Sequence, residues 1–153
     1  IGIIIAQLLG AGKTEEAEDT DRKLIAFSIM VGVASGILLA FLAPIFPRLY
    51  NTTEGAKRIA MEMIFAHALC LPLFAFKNAT YFTLRSGGKI WVTIIFDSAF
   101  LWAVSVPIAF IISRFTAFSV VFIYLSVQAG DILKCILGFI LVKKRIWVKN
   151  IVD

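Results

Sequence analysis

Seven side chains able to do chemistry lie inside stretches otherwise too apolar to hold them: His67, Lys77, Asn78, Asp97, Gln128, Asp131 and Lys134. Two acids, two bases and three neutral hydrogen-bonding groups are the components of a site that binds cations or exchanges protons. A charged side chain at the centre of a bilayer costs about 2.5–3.5 kcal/mol on insertion scales, so Lys77, Asp97, Asp131 and Lys134 are candidates for function by default. Asp131 is the deepest carboxylate, with Lys134 one turn later and Gln128 one turn earlier on the same helical face. It is the leading candidate to exchange a proton or a sodium ion, and an Asp–Lys pair that only neutralises itself is the alternative. Lys77 lies ten residues before Gly87 and Asp97 ten after it, so a hairpin turning at Gly87 brings both to a depth of roughly 15 Å. We expect Lys77 and Asp97 to pair, either to fix helix packing or to serve transport. His67 is the sole histidine, and a lone buried histidine is more often a hydrogen-bonded structural group than a ligand. It leaves any metal set unknown. Glu62 falls near the end of its apolar stretch, where water and a helix N-terminus stabilise it cheaply.

The elements that carry these residues follow from hydropathy. Leu24 to Pro47 runs for 24 residues without a charge, and a helix needs about 20 apolar residues to cross the hydrocarbon core. Three similar stretches follow, over about 59–84, 90–113 and 117–142, and residues 1–9 read as the end of a further helix whose beginning lies upstream. The fold class expected is therefore an all-α integral membrane protein, an antiparallel bundle of about four full helices plus the end of a fifth. One transmembrane domain covers 1–153, a basic tail covers 143–153, and the chain reads as a fragment. Gly10 and Gly12 suit a helix end, and Thr14, Glu15 and Glu16 suit the start of the next, where carboxylates complement the helix dipole. Pro44 and Pro47 end the first full span. Gly32 and Gly36 have the small-xxx-small spacing that lets a neighbouring helix come close, or merely reflect the frequency of Gly in membrane helices.

Composition agrees with a membrane chain: 60% of residues are hydrophobic and 16% charged, against about 25% charged in soluble domains. A net charge of +5 raises the question of nucleic acid, but the Lys and Arg residues stand at the edges of the apolar stretches and form no stripe with interleaved aromatics,. No nucleic-acid partner is expected, and the charge is a topology signal. Segment 10–23, turn 85–89 and the tail must share one face, and they hold Lys13, Arg22, Lys23, Arg85, Lys89, Lys143, Lys144, Arg145 and Lys149. The other face has Arg48, Lys57, Arg58 and Arg114. Positive charge accumulates on the cytoplasmic side of short loops, so the C-terminus is expected there. Trp91 and Trp147 are expected at that interface as indole anchors.

Other motifs fail. The GKT at 12–14 lacks the glycine a phosphate loop needs, since that position is Gln7,. Cys70 and Cys135 lack metal-ligand spacing and read as small hydrophobes. Neither glycosylation sequon, at Asn51 or Asn78, is assigned, and no nucleophile–base constellation is visible, so no enzyme is expected.

QLLGAGKTEEA at 7–17, Pro72 followed by LRSGGK at 84–89, FDSAFLWAVSVPIAF at 96–110 and the terminal VKKRIW together resemble the C-terminal lobe of multidrug and toxic compound extrusion (MATE) transporters. That resemblance implies half of a two-lobe transporter: the end of its eighth helix followed by helices nine to twelve. It implies alternating-access export of amphipathic cationic drugs, driven by sodium or proton entry, in the plasma membrane. The partners implied are the lipid bilayer, the missing N-terminal lobe and the drugs. No cofactor is implied besides the coupling ion. Related lobes occur in flippases for lipid-linked saccharides, which is the alternative function, and a non-transporting structural subunit is the third. The family's N-lobe carboxylate and seventh-helix acid are absent from this chain, and its tenth-helix region offers Lys77 and Asn78 where members carry Asp. LRSGG also departs from the commoner LRG form. Coupling residues therefore do not carry over from the resemblance.

Overall fold

Backbone N–H and C=O groups in hydrocarbon have no partner but one another, so apolar stretches of this length are held to helix. The computed structural model describes residues 1–88, 90–115 and 118–148, among which no strand occurs. Lys89, Thr116, Ala117 and Lys149, used above to place turns, span ends and charges, lie outside the described residues. Helix α1 covers Gly2–Gly10, α2 Thr14–Leu42, α3 Glu54–Ser86, α4 Ile90–Ile94, α5 Val106–Phe115 and α6 Val120–Lys143. Two π-helical turns, Ile95–Ala99 and Leu101–Ser105, join α4 to α5. Among the described residues, four helical segments are long and apolar enough to cross a membrane, α2, α3, α6 and the run Asp97–Arg114 through the π turns and α5, and large apolar side chains such as Phe41, Trp91 and Trp102 stand more than 70% exposed. A surface of that kind is what lipid solvates.

Local chemistry sets the helix ends. Gly12 takes φ +73°, a conformation glycine adopts without steric cost, and turns α1 into α2,. Glu15 and Glu16 occupy the first turn of α2, so the helix begins at Thr14, ten residues before the apolar run starts at Leu24. It ends at Leu42, and a 3₁₀ turn over Phe46–Leu49 carries Pro47. Thr53 and Ser119 cap α3 and α6, their hydroxyls accepting from the amides of Ala56 and Phe122. The π turns break the regular helix that the apolar stretch over 90–113 suggests. Each π turn holds an extra residue, which rotates the side chains that follow around the axis.

Contacts between helices settle their directions. Asp21 meets Thr83 near one end of α2 and Gly36 meets Ala68 nearer the other, so α2 and α3 are antiparallel. His67 meets Tyr124 and Lys77 meets Asp131, so α3 and α6 run the same way. The turn after α1, the turn at Gly87 and the tail after α6 consequently gather at one end of the bundle. There Trp147 closes a cluster with Ile5, Leu9, Ala17 and Leu84. Trp147 is only 2% exposed, which corrects its expected place as an interfacial anchor. Arg145, at φ 54°, reverses the chain after α6 and folds the indole inward. Its Nε1 donates to the Val142 carbonyl. Trp91, at 78% exposed, stays on the surface.

Gly32 and Gly36 lie on the α3 side of α2, both buried. A Cβ on Gly36 would stand 2.7 Å from the Ala68 carbonyl oxygen, and one on Gly32 2.7 Å from the Ala75 Cβ and 3.1 Å from Pro72 Cα. Pro72 lacks an N–H, so the Ala68 carbonyl, four residues earlier, has lost its helical donor. The α2 glycines let the backbone approach α3 at that proline turn. The small-xxx-small spacing is therefore a packing device. Gly36→Val should destabilise the full-length protein in detergent by about 1–3 kcal/mol, the usual range for overpacking, whereas Gly55→Ala, with open space at its Cβ, should leave the thermal midpoint within experimental scatter. Equal midpoints for the two variants would contradict this account of the α2–α3 contact.

Candidate functional site

Each intramembrane charge finds its counter-ion on another helix or one turn away. Lys77 of α3 donates from Nζ to Asp131 Oδ2 of α6 at 2.7 Å. The second Asp131 oxygen lies 3.8 Å from Lys134 Nζ, and Lys134 lies 3.7 Å from Asp97 Oδ1 in the first π turn. The order Lys77–Asp131–Lys134–Asp97 is a chain of alternating charge whose formal sum is zero when all four are ionised. Phe74 lies under the Lys77 ammonium at 4.9 Å, and Phe100 under that of Lys134 at 5.1 Å. These aromatic faces replace part of the hydration both cations give up.

Burial is greatest in the middle of the chain and least at the Asp97 end. The side chains of Lys134 and Asp131 are 4% and 9% exposed, that of Lys77 20%, and that of Asp97 65%. Asp97 is thus the accessible end, and Asp131 and Lys134 form the enclosed middle. Asp97, Lys77, Asn78, Tyr81 and Phe82 line a small cavity of about 140 Å³. The hairpin does bring Lys77 and Asp97 to one level, but the ion pair expected between them is not formed, and Lys77 pairs with Asp131 instead. Sequence separation fixes the height of a residue on a helix, not its azimuth. The π turn at Ile95–Ala99 sets the azimuth of Asp97, and its carboxylate meets Lys134.

A second polar network lies about three helical turns away on α3. The Tyr124 hydroxyl is 2.7 Å from His67 Nδ1 and accepts from Gln128 Nε2 at 2.7 Å. The His67 ring also packs on Phe74, at 5.3 Å between centroids, so Phe74 touches both networks. Gln128 and Asp131 share a face of α6, as their spacing requires, but Gln128 serves Tyr124 and not the charged chain. Asn78 is exposed and has its place in the cavity wall. Glu62 accepts from Arg58 one turn earlier. Among the described residues, no three His, Cys, Asp or Glu side chains converge to hold a metal ion.

Sequence reasoning passed over Tyr124, Phe74 and Phe100. Tyr124 had a detectable signal, since 124, 128, 131 and 135 step along one helical face at spacings of four, three and four. The two phenylalanines had none, being indistinguishable from the rest of an apolar stretch.

Removing one member of the Lys77–Asp131 contact leaves a buried charge short of its partner, whereas removing both leaves none. Thermal unfolding of full-length Lys77→Gln, Asp131→Asn and the double variant should give a coupling of about 1–3 kcal/mol, with the double variant more stable than the two losses summed. Additive losses would mean that the contact carries no net interaction.

The MatE family model matches residues 1–111. Over 131 residues the chain is 24% identical to the Probable multidrug resistance protein YoeA of Bacillus subtilis (strain 168), covering 85% of this chain and 28% of that protein. It thus spans a little over a quarter of the length of that relative. No solved structure matches it. With its residues 1–111 matched and its helices able to cross a bilayer, the chain is a multi-pass membrane protein belonging to the MatE family.

Proposed function

We propose that this chain is part of a secondary active exporter of amphipathic cations, in which Asp131 holds the coupling ion and Asp97 receives cations from the accessible side. The observation that carries the reading is the neutral Lys77–Asp131–Lys134–Asp97 chain inside helices of membrane-crossing length. Four charges there cost insertion energy that an all-apolar bundle avoids. In this reading the Lys77 ammonium occupies Asp131 Oδ2 as a tethered cation. Sodium arriving at Asp131 must displace that ammonium, and a proton arriving there weakens its hold. Either event frees Lys77 to move, and α3 and α6 are the helices it joins. Gradient energy is thereby linked to a helix–helix contact, the kind of two-state element on which alternating access depends.

Several parts of this reading concern the whole protein. A second, N-terminal lobe supplies the opposing wall of the drug cavity, and the two rock together in the plasma membrane. The C-terminus lies in the cytoplasm, on the side of the nine Lys and Arg residues named above. The relative's name, a multidrug resistance protein, supports drugs as the cargo.

The test is efflux of a fluorescent cationic dye from vesicles containing the full-length protein, with sodium and pH gradients imposed separately. Wild type should export under at least one gradient, and Asp131→Asn should fall to background under that gradient while remaining folded and inserted. Export unaffected in the variant would remove Asp131 from coupling. Absence of export in wild type under both gradients would overturn the drug-exporter reading and leave lipid-linked saccharides as the cargo to try next.

A further inference from the structure

A second site lies at the end of the bundle where α2 begins and α6 stops, separate from the charged chain. A cavity of about 420 Å³ opens there between α2, α3, α6 and the tail turn, within the range of about 300–1,000 Å³ typical of ligand sites. Ile25, Ile29, Phe76 and Phe139 form much of its wall, Arg22 and Lys143 belong to its lining, and Asp21 lies within it. Asp21 is 1% exposed. Its Oδ1 accepts from the Thr83 hydroxyl, which is shared with the Ala79 carbonyl. Its Oδ2 is buried and has no hydrogen-bond partner among the described residues. Arg145 is neutralised by Glu18 at 2.8 Å, whereas Arg22 forms no ion pair among the described residues and Lys143 stands over the Phe139 ring at 5.8 Å.

A buried carboxylate oxygen without a donor demands one from whatever fills the cavity, since leaving it unpaired is costly. Charge complementarity narrows the occupant further. It must present a positive donor to Asp21, a negative group to Arg22 and Lys143, and an apolar body to the wall. Asp21 lies three residues before the apolar stretch of α2 begins at Leu24, so the cavity is at the depth of lipid headgroups. We propose that it binds a phospholipid whose headgroup ends in an ammonium carrying N–H, of the phosphatidylethanolamine type. Asp21 Oδ2, itself shielded, turns toward the cavity to accept from the ammonium, the phosphate lies against Arg22 and Lys143, and the acyl chains start along Ile25, Ile29 and Phe76. Basic pockets between transmembrane helices commonly take lipid phosphates. The buried acid is what selects an amine-bearing lipid here. The inference needs only an embedded bundle and is independent of the export reading.

The test varies the lipid before the protein. Full-length protein, stripped of lipid in detergent, is titrated with dioleoyl phosphatidylethanolamine, its N-methyl and N,N-dimethyl forms, phosphatidylcholine and phosphatidylglycerol, and bound lipid is counted by native mass spectrometry. Affinity should hold while one N–H remains and fall roughly tenfold at phosphatidylcholine, the loss expected for one charge-assisted hydrogen bond. Phosphatidylglycerol should bind more weakly than phosphatidylethanolamine, because its hydroxyls donate without charge. Asp21→Asn should abolish the ethanolamine-over-choline preference, and Arg22→Gln, at an exposed position, should weaken all the phospholipids while keeping the preference. Equal binding of the ethanolamine and choline lipids by wild type would overturn the proposal. So would a preference for phosphatidylglycerol, or an ethanolamine preference that persists in Asp21→Asn.

Discussion

The contact of Lys77 with Asp131 constrains more of this bundle than any apolar pair does. An ammonium and a carboxylate 2.7 Å apart inside a layer without water satisfy each other or are not satisfied at all. The requirement fixes the height of α3 against α6 and the faces they turn to each other. Lys134 and Asp97 extend the same demand to the π turns, so a third segment is drawn to the pair. Apolar side chains exert no such pull, because lipid tails are as apolar as leucine.

Close backbone approach is the second constraint, and it governs α2 against α3. Gly32 and Gly36 carry no side chain where Ala68, Leu71, Pro72 and Ala75 press against them. Pro72 supplies a turn of α3 with one helical hydrogen bond fewer, beside the stretch that carries Leu73, Phe74 and Lys77. Dispersion across this small-residue contact stands in for the hydrophobic drive that water would give a soluble bundle. The residues more than nine-tenths buried are accordingly few and mostly small, apart from the Trp147 cluster. That cluster gathers the ends of α1, α2 and α3 under the tail, and a Cβ on Gly87 would stand 2.1 Å from the Trp147 carbonyl oxygen. Residues 144–148 after α6 are therefore part of the packing.

The charged chain and the Asp21 cavity obey one rule with opposite outcomes. Along Lys77–Asp131–Lys134–Asp97 every carboxylate has an ammonium within 3.8 Å. At Asp21 one oxygen is served by Thr83 and the other has no protein donor among the described residues. Both sites sit on α3, six residues apart at Lys77 and Thr83, so a ligand in the cavity and the charged chain share the same rigid segment.

Much was legible before any coordinates. Twenty-four uncharged residues ending near two prolines dictate a membrane helix, because hydrocarbon leaves the backbone no other way to pair. The same scarcity of charge singled out Lys77, Asp97, Asp131 and Lys134, since no charge is kept at that depth without cause. Gly12 marks its turn through its own backbone freedom, whereas the caps at Thr53 and Ser119 came from the structure. Which charge meets which was beyond the sequence: Lys77 faces Asp131 and not Asp97 because azimuth around a helix depends on packing, and here on a π turn that apolar periodicity does not announce. Trp147 was misplaced for a related reason. An indole is equally at home at an interface or in a core, and only the reversal at Arg145, with room beside Gly87, sent it inward. Sequence settles what must be hidden from lipid and what must be paired, because those are properties of single side chains. The choice of partner belongs to the tertiary structure, because it depends on rotations and distances that no single helix contains.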